Sequence, residues 1–244
     1  MLIQIRALSP MDILNKTASV NRLIIPALNE EKSIAKVIGE IPSLIEEIIV
    51  IDNGSIDDTI QVARNAGATV LQEAERGYGA ACLKGIDYVK QNHPSTDIIV
   101  FLDADYSDFP IETPSLIDPI LSNEFDLVIG SRVLGNHEKG SLTPVQQFGN
   151  WLSCILIKII YKVKFTDLGP FRAIKFKKLL ELDMKDRNYG WTVEMQIKAA
   201  KQNFYCTEVP VSYRKRIGIS KVSGTIKGSI LAGYKILYTI FKSV

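Results

Sequence analysis

Short apolar runs alternate with segments of helical period along the first half of the chain. Residues 22–25, 47–51, 69–71, 97–102 and 126–129 read as strands. Between them, Asn29 reads as the cap of a helix whose first residues, Glu30 and Glu31, are acids suited to the positive end of a helix dipole. Asp57, Asp58 and Thr59 open a second helix that stops near Gly67, and a third spans residues 80–90. Strand runs without polar alternation are buried on both faces, as in a parallel sheet covered by helices. The pattern predicts an α/β chain with a Rossmann-like, mostly parallel sheet flanked by helices and joined by right-handed crossovers.

Past residue 133 the pattern changes. A loop with Gly135, Asn136, Gly140 and Pro144 precedes a long helix over residues 145–163. Asp167-Leu168-Gly169-Pro170-Phe171-Arg172 follows, then helices over 176–182 and 191–201, a strand over 205–213, a basic loop and an amphipathic helix from about residue 225. No repeat, low-complexity tract or linker divides the chain, so 1–244 reads as one domain with a C-terminal extension.

Composition narrows the classes. With 244 residues, 46% hydrophobic, 23% charged and a net charge of +2, the chain is neither disordered nor collagen-like, and the charge balance does not support a nucleic-acid partner. Cys82, Cys154 and Cys206 are odd in number and far apart, which excludes a disulfide framework and a structural zinc site and fits a reducing, cytoplasmic compartment. Spanning a bilayer takes roughly 20 apolar residues. The best run, 151–161, is shorter and contains Lys158. A mean hydropathy of +0.10 leaves peripheral contact at the inner face of a membrane open.

In doubly wound sheets ligands bind beyond the carboxyl ends of the strands. Polar residues gather there: Glu30, Asp52 and Asn53, Asp103 and Asp105, and Arg132. Asp103-Ala104-Asp105 follows a buried strand, and the two-residue period sends both carboxylates to one side. Such a pair is costly unless a cation sits between its members, and hard oxygen ligands suit Mg²⁺ or Mn²⁺ bridging to phosphate oxygens. Asp52-Asn53-Gly54-Ser55 reads either as a tight turn or as a nucleobase contact. Arg76-Gly77-Tyr78-Gly79 is a glycine-permitted turn, not a Walker loop, because no Gly-Lys-Ser/Thr follows. The run from Arg214 through Arg216 to Lys221 is a solvated basic face or a loop able to close over a diphosphate. His93 and His137 read as surface residues, with His137 placed where it could approach a site.

Together the stretches IIPALNEE, EIIVIDNGSIDDT, RGYGAACLKG, IIVFLDADYSD, LVIGSR, FTDLGPFRAI, GWTVEMQIKAA and EVPVSYRKRIGISKVSG resemble family 2 glycosyltransferases of GT-A fold, in particular the dolichol-phosphate mannosyltransferase-like branch. The resemblance runs from about residue 23 to 224. It implies a nucleotide-diphosphate sugar donor such as UDP-glucose, a divalent metal, and inversion at the anomeric carbon by direct displacement. By that resemblance residues 1–132 form the nucleotide-sugar half and 133–244 the acceptor-side half. Pro26, Leu28, Glu30, Asp52 and Asn53 would hold the nucleoside, and Asp103 and Asp105 the metal and diphosphate. Arg132, Arg172, Arg214, Arg216 and Lys221 would face phosphate groups of donor or acceptor. Glu194 would serve as base or acceptor-positioning group, and Trp191 as an apolar face for a sugar ring.

Two departures keep the acceptor open between a phosphate and a hydroxyl. Gln146 and Gln147 stand where the branch carries basic residues, and Asp167 to Arg172 replaces a Ser-Gly-Phe-Arg ending. A membrane-surface polyprenyl-phosphate sugar synthase and a non-catalytic nucleotide-sugar-binding module remain as alternatives. The apolar stripe of the last helix, with Tyr234, Tyr238 and Phe241, calls for a cover by self-packing, a homodimer or lipid.

Overall fold

The apolar runs pair as the patterning predicts. In the computed structural model, whose described residues are 19–218 and 226–242, the strands are β1 (Asn21–Ala27), β2 (Glu47–Asp52), β3 (Thr69–Gln72), β4 (Ile98–Phe101), β5 (Leu127–Ser131), β6 (Arg172–Lys175) and β7 (Cys206–Pro210). They form one sheet in the order β3-β2-β1-β4-β6-β5-β7. Every neighbouring pair is parallel except those of β6, which runs antiparallel between β4 and β5.

Alternation along each strand divides the core into two layers. Ile24, Ile49, Ile51 and Phe101 face one side, against α3 (Tyr78–Asn92), α5 (Pro144–Tyr161) and α7 (Trp191–Lys201). Leu23, Ile25, Val50 and Val100 face the other, against α1 (Ile34–Gly39) and α4 (Thr113–Leu121). A fully buried side chain of this kind is worth about 1.5–3 kcal/mol, so the central strands anchor the molecule and leave their carboxyl ends to bear polar residues. The remaining helices are α2 (Thr59–Asn65), α6 (Phe176–Leu182) and α8 (Ile226–Lys242).

Three local readings change. Asn29 is not a helix cap. It lies at φ +52°, accepts the Ile56 N–H through its side chain, and donates its own N–H to the Ser55 hydroxyl oxygen, while the helix begins later, at Ile34. β6 is an added strand, four residues with charged ends and no apolar run long enough to announce it. At the start of α5, Thr143 and Gln146 form a reciprocal capping box over Pro144. Gln146, the departure from a basic position, is thus partly spent on holding the helix end.

α8 packs against α5 and α7. The Tyr161 hydroxyl donates to the Ile240 carbonyl at 2.6 Å, and Ile240 is fully buried. Self-packing covers only that side of the helix, because Leu231, Tyr234, Tyr238 and Phe241 stay in solvent. Among the described residues no helix is long and apolar enough to cross a membrane.

Candidate active site

A cavity of about 290 Å³ opens beyond the carboxyl ends of β1, β2 and β4. Seven of the residues read as site candidates line it: Pro26, Leu28, Glu30, Asn53, Asp103, Asp105 and Arg216. Arg76, Gly77, Tyr78, Asn188 and Tyr189 also line it, with Ala27, Ala81 and Ala104. Asn188 and Tyr189 come from the second half of the chain, as does Arg216, so the cavity draws on both sides of residue 132.

One end is built from turns tied to one another. Asp52 is fully buried, and its carboxylate accepts the N–H groups of Gly54 (3.0 Å) and Ser55 (3.2 Å). It shapes the turn and does not line the cavity. Asn53 donates to the Glu73 and Glu75 carbonyls and accepts the Gly77 N–H at 2.8 Å, and Arg76 returns a bond to the Asn53 carbonyl at 2.9 Å. The segment 186–190 is pressed against this turn. A Cβ on Gly79 would stand 2.0 Å from the Asp186 carbonyl oxygen, and the Arg187 carbonyl accepts the Ala80 N–H at 2.9 Å. Only glycine permits that approach. The motif read as a plain turn is therefore the joint between two walls.

The other end is acidic. Asp105 accepts the Ser107 N–H at 2.9 Å through one oxygen and pairs with Arg216 at 3.0 Å through the other. Arg216 also reaches Glu30 at 2.9 Å. Asp103 has one buried oxygen with no hydrogen-bond partner, and burial followed by the neighbouring Asp105 charge pushes its pKa up to about 7. Behind them Asp108 is 2% exposed with neither oxygen partnered, and burial together with Asp103 pushes it well above the usual carboxylate range. An orphaned oxygen within a crowded acid pair is what a hard cation would relieve. Among the described residues no cluster of three or more His, Cys, Asp and Glu could hold a metal. A two-carboxylate site suits Mg²⁺-type binding, where one or two carboxylates leave the remaining positions to phosphate oxygens and water.

Several expected site residues lie elsewhere. Arg172 is completely buried in β6, and its guanidinium donates to the carbonyls of Leu168, Gly169 and Thr192, so it meets backbone and not phosphate. Burial lowers its pKa to about 10. Trp191 is 1% exposed and packs edge-on against Phe101 at 5.8 Å, a core residue and not a sugar platform. Glu194 accepts the N–H groups of Lys185 (3.0 Å) and Asp186 (2.7 Å) and pairs with Lys198 at 2.7 Å. It anchors the wall segment and does not line the cavity. Arg214 stacks on Tyr106, 3.2 Å from the ring centroid, and pairs with Glu40 at 3.0 Å. Lys221 lies outside the described residues.

Arg132 belongs to a second cavity of about 560 Å³, between the loop after β5 and the helix α5. Its walls include His137, Gln146, Gln147, Trp151, Cys154, Lys158 and Lys164. Asp167 grips Arg132 through three bonds of 2.6–2.8 Å, from its backbone N–H and two guanidinium nitrogens. Burial alone would lower the Arg132 pKa, but the Asp167 charge more than offsets it and raises the value. His137 is exposed, as a surface residue should be, and it also lines this cavity. Asn188 and Tyr189 had no signal in the sequence beyond an Asn-Tyr-Gly before a helix.

Residues 23–183 match the family model described as glycosyl transferase family 2. Over 213 residues the chain is 34% identical to an uncharacterised glycosyltransferase of Mycobacterium tuberculosis, covering 86% of this chain and 93% of the relative. An undecaprenyl-phosphate mannosyltransferase of Micrococcus luteus is 28% identical over 218 residues, covering 84% of this chain and 88% of its own. Among solved structures, glucosyl-3-phosphoglycerate synthase of Mycobacterium tuberculosis, in complex with Mn²⁺, UDP and phosphoglyceric acid, superposes with a TM-score of 0.75 at 22% identity, over 94% of this chain and 80% of that one.

Two measurements follow from this geometry. The folded pKa of Asp103 lies above its usual value of 3.8, so the fold's advantage from this group is complete below about pH 4 and lost as pH rises to about 7. In metal-free buffer the melting temperature of Asp103→Asn should therefore gain on that of the wild type between pH 4 and 7 and level off above; a pH-independent difference would contradict the assignment. Glu194→Gln should cost about 1.5–3 kcal/mol in urea unfolding, the usual loss for hydrogen bonds to a charged group. Full stability would show that the anchor carries no weight.

Proposed function

The chain belongs to glycosyltransferase family 2, and from that premise we propose that it is a metal-dependent, inverting glycosyltransferase that uses a UDP-sugar such as UDP-glucose and an acceptor bearing a phosphate. The observation that carries this reading is the acid pair Asp103 and Asp105, one oxygen orphaned, sharing a cavity with Glu30, Asn53 and Arg216. Asp103 and Asp105 would hold Mg²⁺ or Mn²⁺, which when bound offsets negative charge on the departing diphosphate. Pro26, Leu28, Glu30 and Asn53 would hold the nucleoside, and Arg76 and Arg216 would supply further positive charge at the diphosphate. The complex of glucosyl-3-phosphoglycerate synthase with Mn²⁺, UDP and phosphoglyceric acid supports the same pairing of metal, donor and anionic acceptor.

The acceptor reading rests on the second cavity. A hydroxyl acceptor needs a base within hydrogen-bond reach, whereas a phosphate arrives already anionic. Glu194 is committed to backbone and Lys198, and the carboxylate lining the second cavity, Asp167, is committed to Arg132. Arg132, Lys158 and Lys164 give that cavity a basic rim. By this reading the stretch 132–167 that lines the second cavity serves the acceptor, while Asn188, Tyr189 and Arg216, also of the second half, serve the donor.

A second observation favours a polyprenyl phosphate as that acceptor. Neither α5 nor α8 contains an acidic residue, and both leave aromatic side chains in solvent, Phe148 and Trp151 on one and Tyr234, Tyr238 and Phe241 on the other. Lysines beside exposed aromatics are the composition of a helix lying in an anionic bilayer interface. The undecaprenyl-phosphate mannosyltransferase among the relatives accords with it.

UDP-sugars screened with Mn²⁺ should raise the melting temperature, by an amount set by ligand concentration over Kd. Asp105→Asn should remove that shift and lower transfer about 10²-fold or more while the metal-free melt stays cooperative. An undiminished rate would refute the metal assignment. With the best donor, undecaprenyl phosphate in anionic vesicles and 3-phosphoglycerate in solution serve as competing acceptors. Transfer to the lipid, with vesicle co-sedimentation reduced by Phe148→Ser and Tyr238→Ser together, is the expected result; transfer to the soluble phosphate alone rejects the polyprenyl reading.

A further inference from the structure

The donor cavity already contains a cation. The Arg216 guanidinium spans it, one nitrogen 2.9 Å from Glu30 and another 3.0 Å from Asp105. Its ends thus touch both the wall that follows β1 and the acid that follows β4. The backbone that carries it is fastened to the acidic loop itself. The Ile217 N–H donates to the Asp105 carbonyl and the Arg214 N–H to the Ser107 carbonyl, each at 2.9 Å. Arg214 reinforces the attachment through the Tyr106 and Phe109 rings, 3.2 and 4.1 Å from their centroids, and through Glu40. The Arg216 side chain is held differently. Its two ion pairs engage the terminal nitrogens, while its Nε is buried with no hydrogen-bond partner. The side chain is the part of this segment that can exchange partners without the backbone moving.

Asp105 has one oxygen committed to Ser107 and the other to Arg216. A divalent ion bound to the outer oxygen would sit against a guanidinium of like sign, at a distance where repulsion is strong in a partly dehydrated cavity. Metal and Arg216 therefore compete for Asp105. Withdrawal of Arg216 gives up two close ion pairs, and a diphosphate in the cavity would give the released guanidinium a new bidentate partner.

We propose that Arg216 is a resident counter-ion that holds the metal acids in the donor-free protein and is displaced from Asp105 when metal and nucleotide diphosphate enter together. This rests on the donor reading given above, and it adds to it that the cation and the nucleotide bind with positive coupling. The bare metal binds weakly because Arg216 occupies its acid, and the nucleotide lifts that penalty by taking Arg216 away. Reciprocity requires that Mn²⁺ tighten UDP by the same factor.

The test is Mn²⁺ binding followed by the electron paramagnetic resonance signal of free Mn²⁺, with and without UDP, in wild type and Arg216→Gln. Without UDP the variant should bind Mn²⁺ several-fold more tightly than wild type. The strengthening that UDP brings, about 5–150-fold for typical coupling, should fall several-fold in the variant. A merely structural role for Arg216 would weaken Mn²⁺ in both states. Arg216→Lys keeps the charge but not the two-pronged bridge, so it should fall between the two and serves if Arg216→Gln fails to fold. Equal or weaker Mn²⁺ binding by the folded variants without UDP overturns the proposal. If no UDP binds to the wild type while the variants still tighten Mn²⁺, the coupling is refuted along with the donor reading, but the occupancy of Asp105 by Arg216 stands.

Discussion

The site is governed by the cost of keeping two carboxylates close together at the end of a strand with no polar residue. β4 is buried along its whole length, so the residues that follow it emerge into a partly dehydrated space where charge is poorly screened. Asp103 answers by favouring its protonated form, and Asp105 by taking Ser107 and Arg216 as partners. Asp108 extends the acidity inward, with neither carboxylate oxygen hydrogen-bonded among the described residues. The placement of positive charge around the cavity reads as a response to that cost, and it is the reason a cation and a diphosphate suit the place.

Arginines around the two cavities look interchangeable in sequence but divide by what their backbone allows. Arg172 is carried inside the sheet by β6 and has only carbonyl oxygens within reach, so its charge stabilises the loop before it. Arg214 is flattened between aromatic rings and serves as a fastener. Arg132 is gripped by Asp167, itself fully buried and held by Glu208 through its backbone N–H, which fixes a guanidinium at the mouth of the second cavity. Arg216 alone of these four lines the cavity that holds Asp103 and Asp105. Like charge therefore yields four different physical roles.

The parts legible in the sequence are those set by period and by strand ends. Continuous apolar runs identified β1, β2, β4 and β5, and their termini identified Glu30, Asn53, Asp103 and Asp105, because a buried parallel strand exposes polar groups chiefly at its end. The illegible parts depend on contacts between segments distant in the chain. β6 exists because β4 and β5 leave a gap that four residues can fill, and neither neighbour is visible from Arg172-Ala173-Ile174-Lys175 itself. Glu194 looks like a base at the start of a helix until the loop at Lys185 and Asp186 folds back over it. Trp191 looks like a platform until Phe101 meets it. The family resemblance supplied roles for these residues, but their surroundings assign them to the scaffold.

That scaffold limits how the cavity at the ends of β1, β2 and β4 can move. Its inner wall is a lattice of hydrogen bonds to backbone groups: the Asn53 side chain accepts the Gly77 N–H, the Arg187 carbonyl accepts the Ala80 N–H, and the Glu194 carboxylate accepts the Asp186 N–H in the segment that carries Asn188 and Tyr189. Asp186 adds a further tie, accepting the N–H groups of Asn188 and Gly190 while pairing with Lys235 of α8 at 3.0 Å. Loosening any of these would deform several at once, since each partner is shared. The outer wall is different, because its contribution to the cavity ends in one long, jointed side chain. A site built this way keeps the shape of its inner wall while leaving the charge at its acidic end free to be exchanged, which is the division that the proposed pocket for a charged leaving group requires.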